Sequence, residues 1–231
     1  MTTMREALIN ILLLSVVVVA ASHTYATLTQ GREPAERRPK PTVPKDRLDT
    51  SGAPYAGSPD ARVVLIEFGD LECPYCGRFA REAKPVLMER YVSRGLLRIV
   101  FVNLPLPAHR FAAPAAEAAL CAHDTGQFWS FHDRLLLGSQ VPEPGVLRRI
   151  AEELDLGLPF KECVDNRQML EAVERDMLLA TKLGVASTPS FLLGVAREDH
   201  LVQGLEWIVG AKPVAVFADA IEGLLEVDSE R

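Results

Sequence analysis

The sequence has no excess of positive charge and no internal repeat. It contains 25 Lys and Arg residues against 31 Asp and Glu residues, which gives a formal net charge of -6. A basic surface of the kind that binds nucleic acid is therefore not expected, and a repeat architecture is excluded. The remaining composition, 48% hydrophobic and 24% charged, is that of a soluble domain with a sizeable core and some segment attached.

Cysteines are few, and only two of the four lie close together in the sequence. Cys73 and Cys76 are separated by Pro74 and Tyr75 in the stretch "EFGDLECPYCG". Such a pair can be half of a zinc site, a structural staple, or a redox centre that cycles between dithiol and disulfide. The residues around the pair decide between these three interpretations.

A zinc site needs two further ligands, and the sequence offers no second close pair. Cys121 and Cys163 occur singly, and His123 makes only a weak Cys-x-His pattern with Cys121. A metal site is therefore disfavoured.

The first 28 residues contain an almost uncharged run, residues 7–28, that resembles an export signal. The small residues of "TYA" at 24–26 suit a signal peptidase, yet the run is also long enough to span a membrane. Cleaved signal peptide and membrane anchor are both open, and a buried core helix is a weaker alternative. The basic residues mostly follow the run, which favours the opposite orientation: Arg32, Arg37, Arg38 and Lys40, against Arg5 before it.

Residues 29–59 are predicted to be a disordered, proline-rich linker. The stretch "GREPAERRPKPTVPKDRLDTSGAPYAGSPD" contains six prolines and many charges, without an apolar period of two or 3.6. Such a segment cannot bury enough apolar surface to fold by itself. The folded domain is accordingly expected over residues 60–228.

The domain opens with a pattern of strand, helix and strand. The run "RVVLIEF" at 62–68 is typical of a buried strand, and "LLRIVFVNLPL" at 96–106 of a second. Between them, a helix is predicted from Pro74 to a stop at Gly95, with a kink at Pro85. Cys73 then stands at the helix start, where free backbone amides and the helix dipole favour a thiolate.

Two further features fit a redox centre. Thr188-Pro189 precedes a strand-like run in "GVASTPSFLLG", which indicates either a trans proline at the first residue of a strand or a cis bond that presents the Thr188 backbone to Cys73. Glu67 lies in the first apolar strand, where an unpaired carboxylate is costly to bury, so it either has a task or faces water.

The motifs together resemble those of the DsbA-like thiol:disulfide oxidoreductases over residues 58–227. "GSPDARVVLIEFGDLECPYC" resembles the opening strand and active site of that family, "CAHDTGQFWSFHDRL" its first inserted helices, and "STPSFLLG" its cis-proline strand. "IVGAKPVAVFADAIEGLLE" resembles the closing strand and helix, although "VAREDHLVQGLEW" makes a long connection that puts the hairpin in doubt.

The resemblance implies an α/β thioredoxin fold with an inserted helical subdomain at about residues 109–184. Glutaredoxins can carry the same Cys-Pro-Tyr-Cys, but 113 positions separate Cys76 from Pro189, which requires such an insertion. Helical stripes of apolar residues support it. They are Phe128, Phe131 and Leu135; Leu147, Ile150 and Leu154; and Met169, Val173 and Met177.

The resemblance also implies roles for the site residues. Cys73 is expected to be the more exposed nucleophile with a depressed pKa, Cys76 the buried resolving thiol, and Glu67 the acid that exchanges a proton with Cys76. Thr188 and Pro189 are expected to hold the client, Pro74 and Tyr75 form the active-site dipeptide, and neither metal nor nucleotide is needed. Tyr75 departs from the most oxidising relatives, which have a histidine there and so a positive charge.

The expected function is oxidation of client-protein thiols outside the cytoplasm, by a secreted or membrane-anchored protein. A quinone-linked membrane oxidase of the DsbB or vitamin-K-epoxide-reductase type would reoxidise it. A disulfide reductase or isomerase of the same fold, and a non-catalytic peptide-binding envelope module, are the alternatives.

Cys121 and Cys163 lie on separate predicted helices, 42 positions apart, and some members of the family carry a bridge of this kind. A disulfide would stabilise the fold by about 4 kcal/mol on the loop-entropy relation. Two buried free cysteines are the alternative.

Overall fold

The computed structural model describes residues 41–229, apart from positions 139 and 199. The signal peptide or membrane anchor expected over residues 1–28, and the linker as far as residue 40, lie outside the described residues. Within the described ranges, no helix combines the length and the apolar character needed to cross a membrane.

Six strands form one sheet in the order β1-β6-β5-β3-β4-β2. Only β3 and β4 run parallel; every other neighbouring pair is antiparallel. The strands are β1 (Leu48–Asp49), β2 (Tyr55–Ala56), β3 (Val63–Gly69), β4 (Leu97–Asn103), β5 (Ser190–Glu198) and β6 (Leu201–Val209). The hairpin of β5 and β6, in doubt from the sequence, is present, with register irregularities near Gly194 and Ala196.

Strand β3 lies at the centre of the sheet because it is apolar on both faces. All seven of its residues are buried, as are all seven of β4. Val63 and Leu65 pack on one face, and Val64, Ile66 and Phe68 pack on the other. The period of two along a strand places Glu67 on the same face as Val63 and Leu65.

The described residues also form eight α-helices and one π-helical segment, which alternate with the strands along the chain. They are α1 (Pro74–Glu82), α2 (Lys84–Leu87), the π-helix (Met88–Val92), α3 (Ala112–Asp124), α4 (Phe128–Leu137), α5 (Pro144–Glu153), α6 (Gly157–Asp165), α7 (Leu170–Lys182) and α8 (Val214–Ser229). The face that carries Val63 and Leu65 is covered by α1, α2 and α8, and the opposite face packs against α7.

The helix predicted from Pro74 begins at that residue, and the kink predicted at Pro85 is present as a break in the helix at Ala83. There φ is -106°, and a short helix that begins at Lys84 is followed by the π-helical segment. Pro85 accounts for the break, since it lacks an N–H and its ring conflicts with the carbonyl group four residues earlier. The break directs Lys84 into the protein, where only 5% of the residue is exposed.

The linker prediction is wrong over residues 41–59, since this segment covers both edges of the sheet. Leu48 pairs with Val202, and Tyr55 pairs with Val100. The Pro54 carbonyl accepts a hydrogen bond from the N–H of Phe101 at 2.8 Å. Edge strands of two residues leave no periodic pattern in a sequence, and the sheet supplies the partners that the segment itself lacks. The ordered domain therefore begins before the expected residue 60.

Helices α3 to α7 occupy residues 112–182, inside the predicted insertion. Phe128, Phe131 and Leu135 are buried in its core. Met177, predicted for the same kind of stripe, is instead exposed, because α7 presents Ala180 and not Met177 to the sheet. A disulfide between Cys121 of α3 and Cys163 of α6, with Cα atoms 5.8 Å apart, links two helices of the insertion.

Candidate active site

The turn between β3 and α1 brings both cysteines of the Cys-Pro-Tyr-Cys sequence to the end of the central strand. Cys73 is the residue that precedes the helix, with extended backbone, and Pro74 occupies the first helical position. A proline suits that position because its fixed φ matches the helix and the missing N–H has no partner there anyway. The N–H of Cys73 donates to the Asp70 carbonyl at 3.1 Å, which closes the turn.

Cys73 and Cys76 are free thiols, and they occupy different environments. Cys73 retains 4% exposure and Cys76 none. The Cys73 Sγ donates to the Thr188 carbonyl at 3.5 Å, whereas Cys76 Sγ accepts a long contact of 3.4 Å from the N–H of Asp70. Cys73 is thus the more accessible thiol by a narrow margin.

The pKa of Cys73 falls to about 5, from an ordinary value of 9.0. The hydrogen bond from the Cys76 thiol is the largest cause, burial opposes it, and an interaction with Thr188 lowers the pKa further. The backbone N–H groups of Cys76 and Tyr75 add to the effect. These amides form the helix start from which a thiolate was expected, but the neighbouring thiol contributes more.

The pKa of Cys76 moves in the opposite direction and lies well above its ordinary value. Burial is the first cause, followed by the hydrogen bond that this thiol gives to Cys73 and the negative charges of Glu67 and Cys73. One thiol is therefore prepared to be a thiolate and the other to hold a proton.

Glu67 is completely buried, which excludes the alternative that it faces water. In register it stands between Phe101 of β4 and Phe191 of β5. Neither carboxyl oxygen has a hydrogen-bond partner within the described part of the protein. Burial raises the pKa of Glu67 to about 8, and the charge of Lys84 opposes this rise. A carboxyl group of this pKa exchanges protons near neutral pH.

The structure adds a partly buried polar cluster near Glu67 that sequence reasoning missed. Lys84 Nζ donates to Asp133 Oδ1 at 2.5 Å and lies 3.4 Å from His132 Nδ1 and 4.2 Å from the Trp129 ring centre. Burial lowers the pKa of His132 to about 4, so the imidazole is neutral at pH 7. In the sequence, Lys84 could have been noticed as a lysine among the apolar positions of the predicted helix. Its partners could not, because they lie on α4, far along the chain.

The Thr188–Pro189 peptide bond is cis and precedes β5. Antiparallel pairing of β5 with β3 brings this bond to the end of the sheet where Cys73 lies. The Thr188 carbonyl thereby faces the Cys73 sulfur. The cysteine pair and the cis-proline bond, distant in sequence, therefore meet at the same end of the sheet.

A cleft of about 630 Å³ opens beside Cys73. Leu71, Cys73 and Pro74 form one side, the end of α4 with the following loop forms another, and His109 and Arg81 also line it. Leu137 and Val141 in this cleft are exposed, as is Tyr75 next to it. No cluster of three or more His, Cys, Asp or Glu residues suited to a metal ion occurs within the ranges described.

A thioredoxin family model matches residues 49–203, more than half of the chain. BdbD from Bacillus subtilis, in its oxidised crystal structure, is similar with a TM-score of 0.68 and 25% identity, over 81% of this chain and 100% of BdbD. Disulfide bond formation protein D of the same organism is 31% identical over 60% of this chain and 66% of its own length. The chain belongs to the thioredoxin family, and within it to the DsbA-like thiol:disulfide oxidoreductases.

Another relative, the Na(+)/H(+) antiporter NhaA 3 of Salinispora tropica, is 36% identical over 71% of this chain. The matched part is only 24% of the antiporter. This chain therefore spans about a quarter of the length of that relative.

Proposed function

We propose that this protein oxidises the thiols of client proteins outside the cytoplasm, with Cys73–Cys76 as the disulfide that it transfers. The observation that carries the proposal is the opposite displacement of the two cysteine pKa values across one helical turn. A stabilised Cys73 thiolate favours the reduced enzyme, and a cysteine pair that prefers the reduced state is an oxidant toward its client when it carries the disulfide. The similarity to disulfide bond formation protein D supports the same class of activity.

Two disulfide exchanges complete the reaction. A client thiolate attacks the Cys73 sulfur of the oxidised enzyme, the Cys73–Cys76 bond breaks, and Cys76 leaves with the electron pair. A second client thiolate then attacks the client sulfur of the mixed disulfide and releases Cys73 as a thiolate. The client has lost two electrons and the enzyme has gained them.

Glu67 is proposed to supply and remove the proton of Cys76. The Cys76 thiolate that leaves in the first exchange lies in an apolar interior, where its charge is costly. A neighbouring carboxyl group with a pKa of about 8 is largely protonated at pH 7 and can neutralise that thiolate. The reverse transfer activates Cys76 when it attacks a mixed disulfide.

The client is proposed to lie in the cleft next to Cys73, against Thr188 and Pro189. Thr188 presents its backbone to the cysteine, and the exposed Leu137 and Val141 offer apolar contacts to an unfolded segment. Reoxidation is proposed to come from a quinone-linked membrane oxidase of the DsbB or vitamin-K-epoxide-reductase type. Location at the outer face of the cytoplasmic membrane or in the periplasm would give access to it.

A reductase or isomerase is the second candidate, and Tyr75 is the observation that favours it. This side chain is exposed beside the thiols and carries no positive charge to stabilise the Cys73 thiolate. The low pKa of Cys73, produced by its other neighbours, argues for the oxidase.

Cysteine variants test the proposal directly. We expect Cys76→Ser to accumulate covalent complexes with client proteins that carry disulfides, because the Cys73 thiolate attacks a client disulfide, releases one client thiolate, and then lacks the resolving thiol. Cys73→Ser should form few complexes and should lose oxidase activity. Non-reducing electrophoresis measures the complexes, and the variant that lacks both thiols is the matched control. Equal complex formation by both single variants, or none by either, would contradict the assigned roles.

A further inference from the structure

His109, on the loop between β4 and α3, lines the same cleft as Cys73. Its side chain is 22% exposed, so it is partly buried at the entrance of the active site. The imidazole Nδ1 lies 2.7 Å from Asp70 Oδ2. This contact fixes the ring against the turn that carries the cysteines.

The backbone of Asp70 connects the His109 contact to both cysteines, at the N–H of Cys73 and at the sulfur of Cys76. Its carbonyl accepts from the N–H of Cys73 at 3.1 Å, and its N–H contacts Cys76 Sγ at 3.4 Å. The carboxylate also accepts from the N–H groups of Glu72 and Leu106, each at 2.8 Å. A carboxylate with three donors and no exposed side-chain surface is a rigid support.

The charges that face His109 come from three elements. Asp70, Glu72 and Cys73 belong to the active-site turn, Arg81 of α1 lines the same cleft, and Arg110 follows His109 in its loop. Burial disfavours the imidazolium, but the hydrogen bond to Asp70 and the negative charges of Asp70, Cys73 and Glu72 outweigh it and raise the pKa of His109. Arg81 is engaged by the Leu136 carbonyl at 3.0 Å, and Arg110 lies over the ring of Phe111.

We propose that His109 is a positioning residue whose imidazolium, held by Asp70, stabilises the Cys73 thiolate and so favours the reduced state of the pair. The inference deepens the proposed function, because it rests on redox cycling of Cys73 and Cys76. On this inference, the positive charge that stabilises the thiolate comes from the loop between β4 and α3. The Pro74–Tyr75 dipeptide between the cysteines supplies no such charge.

Linkage makes the interaction reciprocal. If the imidazolium favours the thiolate, then the thiolate favours the imidazolium by the same factor. Oxidation to the Cys73–Cys76 disulfide removes the thiolate charge, so His109 must titrate at lower pH in the oxidised protein than in the reduced protein. A histidine that only supports the loop through its hydrogen bond to Asp70 would not show this difference.

The expected size is moderate because Asp70 cancels part of the imidazolium field. When no other charge cancels it, an opposite charge close to a titratable group changes the ionisation equilibrium of that group by about tenfold to a thousandfold. We therefore expect removal of the charge to change the thiol equilibrium by about threefold to tenfold. The effect should be present while His109 is protonated and should disappear as the pH rises through its raised pKa.

His109→Asn is the informative variant, because its amide can still donate to Asp70 but carries no charge. Arg110→Gln is the matched control, since it removes one positive charge from the same loop outside the set of residues that line the cleft. The equilibrium to measure is protein disulfide plus two glutathione thiols against protein dithiol plus glutathione disulfide. Imidazole NMR resonances of the full chain report the titration of His109 in each redox state.

We expect His109→Asn to shift this equilibrium about threefold to tenfold toward the protein disulfide near pH 6, with little change for Arg110→Gln. In the unmodified chain, His109 should titrate at lower pH after oxidation. Identical His109 titrations in both redox states, together with an unchanged equilibrium for His109→Asn, would overturn the inference. Failure to oxidise clients would instead contradict the proposed function, and leave the measured coupling in place.

Discussion

We expect the Glu67→Gln variant, in its reduced state, to gain stability over the unmodified chain as the pH rises from acidic to neutral. Glu67 is buried between two phenylalanines with both carboxyl oxygens unpartnered within the described residues. The folded protein therefore holds the Glu67 proton up to a pKa of about 8, whereas the ordinary value is 4.5. Glutamine keeps the shape of the side chain and removes this titration.

The sign follows from the raised pKa. Below pH 4.5 both folded and unfolded states hold the proton, and Glu67 then carries no pH-dependent cost. Above that pH the unfolded chain releases the proton while the folded protein retains it, at a cost of about 1.4 kcal/mol per pH unit. At pH 7 the accumulated cost is about 3 kcal/mol, and it stops growing once the pH passes the folded pKa.

Cys73 acts in the opposite direction, so the comparison must be a difference between variants. Its folded pKa of about 5 lies below the ordinary 9.0, and its contribution to stability grows as the pH rises between these values. Between pH 5 and pH 8 the contributions of these two groups oppose each other, while His132, with a folded pKa of about 4, adds stability as the pH rises towards its ordinary value of 6.5. Subtraction of the Glu67→Gln curve from the unmodified curve isolates Glu67.

Urea unfolding followed by tryptophan fluorescence supplies the two curves. The active-site pair should be reduced selectively and the reductant removed without oxygen, so that Cys121–Cys163 stays closed. Glu82→Gln is the matched control, because Glu82 is exposed and pairs with Arg78 on the surface of α1. Parallel pH curves for the unmodified chain and Glu67→Gln would refute the reasoning, since they would mean that Glu67 titrates alike in both states.

Three further expectations follow from the same geometry. Cys121→Ala with Cys163→Ala should lower the free energy of unfolding by about 4 kcal/mol, because a 42-residue loop is no longer closed in the unfolded chain; an unchanged urea midpoint would contradict this. Lys84→Met should raise the pKa of Glu67, as carboxyl NMR would show; a lower Glu67 pKa in this variant would contradict the proximity of Lys84 and Glu67. Alkylation of Cys73 should persist down to about pH 5; a midpoint near the free-thiol value of about 8.5 would contradict the assigned thiolate.

The sequence predicted those parts of the fold whose signals are local. The buried strand before Cys73, the helix that starts at Pro74 and the apolar stripes of the insertion each lie within one short window. The prediction that Met177 belongs to a buried stripe was wrong. A helix at a sheet surface buries only part of its circumference, and periodicity alone does not say which part. The edge strands at 41–59 failed because their stability comes from partners elsewhere in the chain.

The sequence predicted those residues of the site that have a local signal of their own, including the Thr188-Pro189 pair before β5. Cys73 and Cys76 could be recognised from their spacing and Glu67 from its carboxyl group in an apolar strand. Lys84, Asp133 and His109 could not, because α4 and the loop after β4 meet the active-site turn only in the folded chain. The pKa of Cys73 shows the same limit, since its largest cause is the orientation of the Cys76 thiol and not the helix start alone.

The reduction potential of the Cys73–Cys76 pair tests the central claim most directly. Equilibration of the full chain with glutathione buffers of known ratio, followed by alkylation of the remaining thiols and mass spectrometry, gives this potential on one scale. We predict a value above about -200 mV, because a thiolate stabilised at Cys73 favours the reduced protein and makes the disulfide an oxidant. A value at or below about -270 mV, in the range of thioredoxin, would contradict the oxidase and indicate a reductant.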